Sequence, residues 1–159
     1  MSWRGSTTTQ DRIFASLPYL LPIASGVVYG VSLLQQFGLV GVLGFFQPII
    51  DLNSGFLGLA IFIALFALVV NNTNISHFVR FNVFQALLLD IILVLMGIVL
   101  PLLLKLLAFL PGIETIGQVL SNTLFLGALV GGTYGIVQSL LGRYAEIPTI
   151  SNVVYTQLR

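Results

Sequence analysis

Three polar side chains interrupt an apolar stretch, RFNVFQALLLDIILVLMG, at residues 80–97. They are Asn82, Gln85 and Asp90, and at about 100° per residue they fall within an arc of about 140° on one helix face. A charged aspartate at the centre of a membrane helix costs on the order of 2.5–3.5 kcal/mol on insertion scales. The pattern therefore predicts that Asp90 is protonated, or that it faces a partner group or water.

Three interpretations of this polar face remain open from the residues alone. In the first, Asp90 links helices through a hydroxyl group, for which the candidates are Tyr29, Thr133 and Tyr134. In the second, the face lines a hydrated passage. In the third, Asp90 is the proton site of a small solute carrier. Arg80 lies ten residues earlier on the same helix, so we do not expect it to pair directly with Asp90.

The remaining polar residues do not assemble into a catalytic or metal site. The chain has no cysteine and one histidine, His77, which cannot build a metal site alone. No nucleophile–base pair or phosphate-binding loop can be recognised, so we expect neither enzymatic activity nor a cofactor. The formal net charge is +1 and basic residues form no run, which argues against nucleic acid as a partner.

The composition indicates an integral membrane protein. Of the 159 residues, 57% are hydrophobic and 7% are charged, whereas soluble domains carry about 25% charged residues. So few charges cannot cover a globule with a water-facing surface, and most apolar side chains must face lipid or other helices. The predicted fold is all-α and multi-pass, in one membrane domain over residues 1–159.

Four apolar runs predict four transmembrane helices, since roughly 20 helical residues cross a bilayer. The second run holds only fifteen residues, from Phe56 to Val70. Before it, three glycines and Pro48 break a shorter apolar patch, which suggests an interfacial or re-entrant segment at 38–50. A polar tail follows the last helix at 142–159 and should lie on the membrane surface. The predicted helices cover about 11–34, 54–71, 78–104 and 116–141.

Basic residues predict the orientation of these helices. With four spans, both termini and the loop at 71–80 share one side of the membrane. Lys105 is alone on the other side. The positive-inside rule then places both termini in the cytoplasm or its organellar equivalent. The side with the termini holds Arg4, Arg12, Arg80, Arg143 and Arg159.

Small residues predict that the first and fourth helices pack closely, because helix association in lipid depends on close backbone approach. The first helix carries Gly26 and Gly30, and the neighbouring row of the fourth helix adds Ala128 and Gly132. The main row of the fourth helix repeats at intervals of four and comprises Gly127, Gly131, Gly135 and Ser139. At the N-terminus, Thr8 and Asp11 have capping-box spacing, which predicts a helix start near residue 9.

Several motifs together resemble one protein family. They are Asp11-Arg12-Ile13 followed by Leu17-Pro18-Tyr19-Leu20-Leu21-Pro22, then His77-Phe78-Val79-Arg80-Phe81-Asn82 continuing to Gln85 and Asp90, and a tail with Glu146-Ile147-Pro148-Thr149-Ile150-Ser151. Over residues 9–157 the chain resembles the Tic-twenty family, the twenty-kilodalton subunit of the translocon at the inner envelope membrane of chloroplasts. Thr156 departs from that pattern, where methionine is expected.

The resemblance implies a non-enzymatic membrane component of a protein translocon that lines or forms part of a preprotein-conducting pathway. It implies other translocon subunits and preproteins as partners, in the plastid inner envelope or a cyanobacterial membrane. The polar N-terminus does not read as a transit peptide, so we expect a cyanobacterial or plastid-encoded member. Because four helices cannot enclose a polypeptide, a pathway would need a homo-oligomer or partner proteins. A structural scaffold remains an alternative.

Overall fold

The computed structural model describes residues 7–158, and within this range the secondary structure is entirely helical. The two longest helices are α6 and α7, which follow each other along the chain. The elements in chain order are α1 (Thr9–Ser16), a 3₁₀ turn (Leu17–Tyr19), α2 (Leu20–Tyr29), α3 (Val31–Gln36), α4 (Gly41–Leu52), α5 (Gly55–Leu65), a π-helical segment (Phe66–Val70), α6 (His77–Leu106), α7 (Ile113–Leu140) and α8 (Ile150–Gln157).

The first apolar run is broken, contrary to the single helix predicted over 11–34. The predicted capping box is confirmed: Thr8 and Asp11 exchange hydrogen bonds, and α1 begins at Thr9. Pro18 lacks a backbone N–H and lies in the first turn of the 3₁₀ segment. A second break follows at Gly30, after which α3 starts as a separate short helix.

The third and fourth apolar runs form continuous helices. α6 has 30 residues and α7 has 28 residues, so α6 is about 45 Å long. The Ser76 side chain accepts a hydrogen bond from the Val79 N–H and caps the start of α6. Gly112 precedes α7 with φ +81°, a left-handed conformation that glycine adopts at little cost.

The second apolar run forms a bent pair with the segment before it. α4 and the helix from Gly55 to Val70 meet at a bend of 70°. α4 occupies most of the stretch where an interfacial or re-entrant segment was expected. The apolar side chains Val42, Leu43 and Phe46 pack it against the interior of the bundle beside α2.

Three helices are long and apolar enough to cross a membrane: Thr9–Tyr29, taken through its 3₁₀ turn, α6 and α7. The bent pair passes the same test if it counts as one broken span, so the described residues give three or four spans. Large apolar side chains such as Phe45 and Phe109, each 77% exposed, point away from the bundle. This surface suits lipid, because it offers few groups to water.

Both ends of the described chain lie at the same end of the bundle. Asp11 accepts a hydrogen bond from the Ser76 hydroxyl at 3.2 Å, which ties the start of α1 to the start of α6. A Cβ placed on Gly142 would lie 2.6 Å from the Thr7 Oγ1. Arg12, Arg80 and Arg143 lie within or beside these segments, whereas Arg4 and Arg159 lie outside the described residues.

The close contact expected between the first and fourth predicted helices is made by α2 and α7. A Cβ on Gly26 would overlap the Ala128 methyl group, and one on Gly30 would meet the ring of Phe125. From the other side, a Cβ on Gly132 would overlap Ile23. The backbones therefore approach each other at distances that larger residues would not allow.

The row of small residues at intervals of four on α7 lies only partly in the interface with α2. Gly135 faces the ring of Tyr19, and Ser139 is fully buried. Gly127, however, has no heavy atom within 4 Å of its Cβ position, and Gly131 faces a Leu89 side chain of α6. Steps of four residues drift by about 40° around a helix, so such a row leaves the contact face. The prediction is wrong for Gly127.

The polar tail, which was expected on the cytoplasmic surface, packs against the bundle. α8 packs against the start of α6. Val154 and Leu158 join the largest buried apolar cluster, which also contains Phe78 and Phe81 of α6. The tail therefore completes the interior at the end of the bundle where the described residues begin and end.

Candidate functional site: two polar clusters on α6

The first polar cluster surrounds Asn82 and Gln85, which are both 0% exposed. The Tyr19 hydroxyl donates to Asn82 Oδ1 at 3.3 Å. The Gln85 Nε2 donates to the same tyrosine oxygen at 3.0 Å. Asn82 also donates to the Phe78 carbonyl at 2.9 Å, within its own helix. This first cluster thus joins α6 to the turn between α1 and α2.

The tail supplies the other partners of the first cluster. The Ala145 N–H donates to Asn82 Oδ1 at 3.2 Å, and the Ala145 carbonyl accepts from Gln85 Nε2. The Ser151 hydroxyl donates to Gln85 Oε1 at 2.8 Å. Each buried amide therefore has partners on both its oxygen and its nitrogen, as buried polar groups require. The cluster holds the tail in place and offers no surface to a ligand.

The second polar cluster surrounds Asp90, the fourteenth residue of α6 and close to the middle of that helix. Asp90 is 6% exposed. The Ser25 hydroxyl of α2 donates to Asp90 Oδ1 at 2.7 Å. The Asn53 Nδ2, in the bend between α4 and α5, donates to Oδ1 at 3.0 Å and to Oδ2 at 2.9 Å. The same amide nitrogen donates to the Ser25 oxygen at 2.9 Å.

An open cleft of about 370 Å³ lies beside the second cluster. Two members of the cluster, Ser25 and Asn53, line it, so Asp90 lies directly behind its wall. The other lining residues come from α2, α4, α6 and the bend, and they are Val28, Tyr29, Ile50, Ser54, Leu93, Val94, Gly97 and Pro101. Volumes from roughly 300 Å³ upward are typical of small-ligand sites.

The hydroxyl partners expected for Asp90 are not the ones observed. The Tyr29 hydroxyl donates to the Leu93 carbonyl of α6 instead. The hydroxyl that donates to the Asp90 carboxylate belongs to Ser25. Arg80 donates from Nε to the Val70 carbonyl at 2.7 Å, at the end of the π-helical segment. The expectation that Arg80 would not pair with Asp90 agrees with this contact.

The structure separates the three predicted site residues into two groups. Asn82 and Gln85 share one cluster, whereas Asp90 belongs to a cluster with which they share no partner. Sequence reasoning missed Ser25 and Asn53. A serine inside a membrane helix and an asparagine between two apolar helices are polar residues in apolar surroundings, and that pattern could have indicated both.

The described residues contain no group of three or more His, Asp or Glu side chains that could hold a metal ion. Asp90 is bonded to neutral groups, and its chemistry is that of a single acceptor inside an apolar bundle. A site of this kind can bind a proton or a hydrogen-bond donor.

A family model described as "Chloroplast import apparatus Tic20-like" matches residues 8–154. The chain belongs to this family. Among its relatives, a "Tic20 family protein" from Synechocystis sp. is 43% identical over 164 residues, covering 100% of this chain and 99% of the relative. The match includes both polar clusters and most of the tail.

Plant and algal relatives extend the comparison. "Protein TIC 20-v, chloroplastic" from Arabidopsis thaliana is 32% identical and covers 96% of this chain and 73% of the relative. "Tic20 family protein Ycf60" from Porphyra purpurea is 30% identical and covers 96% of this chain and 77% of the relative. The resemblance found in the sequence motifs is thus confirmed. The chain is an integral membrane protein of the plastid inner envelope or of a cyanobacterial membrane.

Proposed function

We propose that this chain is a non-enzymatic component of a protein translocon, and that the cleft beside Asp90 lines part of a preprotein-conducting pathway. Membership of a family described as a chloroplast import apparatus supports the translocon role. The observation that supports the choice of side is the open cleft, which is backed by a carboxylate at mid-helix. An intramembrane carboxylate is costly, and it is usually kept for function.

Asn82 and Gln85, which were expected to share this pathway, take a structural role in the proposal. Their polar atoms are bonded to the tail and to Tyr19, and neither residue is exposed. A passing polypeptide could reach them only after the tail had left. The pathway is therefore assigned to the C-terminal half of α6, where Leu93, Val94 and Gly97 line the cleft.

The proposed pathway needs a second wall. The cleft is open to the outside of the bundle, and the helices around it leave no enclosed lumen for a polypeptide. Another copy of the chain or another translocon subunit completes the wall, and lipid covers the rest of the apolar surface. In this arrangement the bundle end that carries Arg12, Arg80 and Arg143 faces the cytoplasm or stroma.

Site-specific photocrosslinking tests the proposal. A photoreactive residue replaces Val28 or Val94, which line the cleft and are 50% and 47% exposed. Matched controls replace Val119 or Val130 on α7, which are 58% and 68% exposed. Membranes carrying each variant receive a labelled precursor whose folded C-terminal domain stalls it during transfer. We expect capture of the precursor at the two cleft positions. Equal or greater capture at the α7 positions would contradict the proposal.

One observation favours a second function, that of a small proton-coupled solute carrier. The donors to Asp90 are a serine hydroxyl and an asparagine amide, both neutral, so the carboxylate can take up and release a proton without breaking an ion pair. Labelling of Asp90 by a carbodiimide, together with solute flux driven by a pH gradient in liposomes of the purified chain, would support the carrier. Liposomes that show no flux would exclude it.

A further inference from the structure

The cleft beside Asp90 presents hydrogen-bond acceptors and almost no donors. The Ser25 hydroxyl donates its hydrogen to Asp90, and the Tyr29 hydroxyl donates to the Leu93 carbonyl. The Asn53 amide nitrogen is directed at Ser25 and Asp90, and the Ser54 hydroxyl donates to the Asp51 carbonyl. The polar side chains of the wall therefore use their hydrogens within the protein, and oxygen lone pairs remain for a ligand.

The Asp90 carboxylate behind this wall also favours a ligand that donates hydrogen bonds. Asp90 is buried, and its hydrogen bonds come from neutral donors. Inside a bundle of low dielectric constant, an uncompensated carboxylate attracts a cation more strongly than it would in water. A ligand that brings both positive charge and several N–H donors satisfies both requirements, and a lysine ammonium or an arginine guanidinium does so.

From these two observations we propose that the cleft binds basic side chains of a polypeptide segment, with Asp90 as the residue that selects for positive charge. The inference rests on the proposed function, because it names the feature of the passing segment that the cleft recognises. Ser25 and Asn53 are positioning residues, since they hold the carboxylate behind the wall. Tyr29, which lines the cleft, contributes an oxygen that contacts the ligand directly.

The apolar part of the cleft explains why a side chain on a polypeptide fits better than a free ion. The remaining wall is apolar and consists of Val28, Ile50, Leu93, Val94, Gly97 and Pro101. A lysine or arginine can lay its hydrocarbon stem along such a wall while its charged end reaches the oxygens. A hydrated metal ion would gain nothing from these contacts, and the single carboxylate gives it only one charged ligand.

The test uses the purified chain in phosphatidylcholine liposomes, with a photoreactive residue in place of Val94. Two labelled synthetic peptides are compared, which are identical except that one carries four lysines where the other carries four glutamines. We expect the lysine peptide to be captured about tenfold more efficiently, which corresponds to about 1.4 kcal/mol. The substitution Asp90→Asn should reduce its capture to the level of the glutamine peptide.

A matched variant, Glu114→Gln, removes an exposed carboxylate of α7 outside the cleft and should leave the preference unchanged. A second variant, Tyr29→Phe, keeps Asp90 and removes one acceptor oxygen, so it should reduce the lysine preference only in part. It keeps the proposal testable if Asp90→Asn fails to fold, which size-exclusion chromatography in detergent would reveal.

The outcomes separate the two proposals. If both peptides are captured equally by the unmodified chain, the selection by Asp90 is wrong while the pathway remains supported. If neither peptide is captured at Val94 and both are captured at Val130, the pathway itself is wrong. A lysine preference that survives Asp90→Asn would also overturn the inference, because the selecting charge would lie elsewhere.

Discussion

Replacing Gln85 by leucine should destabilise the docking of the tail while leaving the membrane helices in place. The two side chains have similar volumes, so the change removes polar contacts and creates little empty space. Gln85 takes part in hydrogen bonds to the Tyr19 hydroxyl, the Ala145 carbonyl and the Ser151 hydroxyl. Two of these three partners belong to the tail, so the loss falls mainly on the docking of residues 144–158.

The magnitude follows from these three bonds. Each buried hydrogen bond contributes about 0.5–1.5 kcal/mol net, and a partner left without a bond adds to the loss. Side-chain bonds within membrane proteins average nearer 0.6 kcal/mol. A loss of about 2–3 kcal/mol is therefore expected for the docked tail. This corresponds to opening that is about 30- to 150-fold more frequent.

Hydrogen exchange measured by mass spectrometry on the chain in detergent provides the assay. Amides of α8 should exchange about 30- to 150-fold faster in Gln85→Leu, whereas those in the middle of α7 should be unchanged. Gln118→Leu serves as the control, because Gln118 is exposed and bonded to the Ser32 hydroxyl. Exchange of α8 within threefold of the unmodified chain would refute the idea that the cluster holds the tail.

Three further predictions concern packing, capping and orientation. Gly135→Ala should lower the free energy of unfolding by about 1–3 kcal/mol in thermal melts, because its methyl group meets a buried tyrosine ring. Gly127→Ala, in open space, should raise it by up to about 1 kcal/mol, and an equal loss in both variants would contradict the assigned contact face. Thr8→Ala should cost about 1 kcal/mol by removing the capping box, and unchanged exchange rates in α1 would argue against this. Because the chain has no cysteine, Arg143→Cys and Lys105→Cys can be labelled singly with an impermeant reagent. Arg143→Cys should react from the cytoplasmic or stromal side and Lys105→Cys from the other, and the reverse pattern would invert the proposed orientation.

Local signals in the sequence were sufficient where one segment determines its own structure. The Thr8 and Asp11 pair marks the helix start, because both partners of a capping box lie within four residues. The extents of α6 and α7 follow from long apolar runs, which can satisfy their backbone groups in lipid only as helices. The break at Gly30 was missed, because glycine and proline inside an apolar run are compatible with either a continuous or a broken helix.

Long-range contacts could not be predicted from the same signals. In the interpretation that Asp90 links helices, its candidate partners were tyrosine and threonine hydroxyls. The observed partners are Ser25 and Asn53, which are 65 and 37 residues away in the chain. Which polar groups face Asp90 depends on the rotation of α2 about its axis and on the 70° bend between α4 and α5. Neither can be read from composition. The prediction that Gly127 lies in the helix contact was wrong for the same reason, since the contact face depends on how the helices cross.

The docking of α8 has a consequence for biosynthesis. The segment that supplies Ala145 and Ser151 is translated after every membrane helix, so two buried amides on α6 remain without these partners while the earlier helices are already inserting. The bundle therefore reaches its final stability only when residues 144–158 have left the ribosome and folded back. A shortened product that stops before this point would carry exposed amides near the membrane surface, a defect that quality-control proteases could recognise.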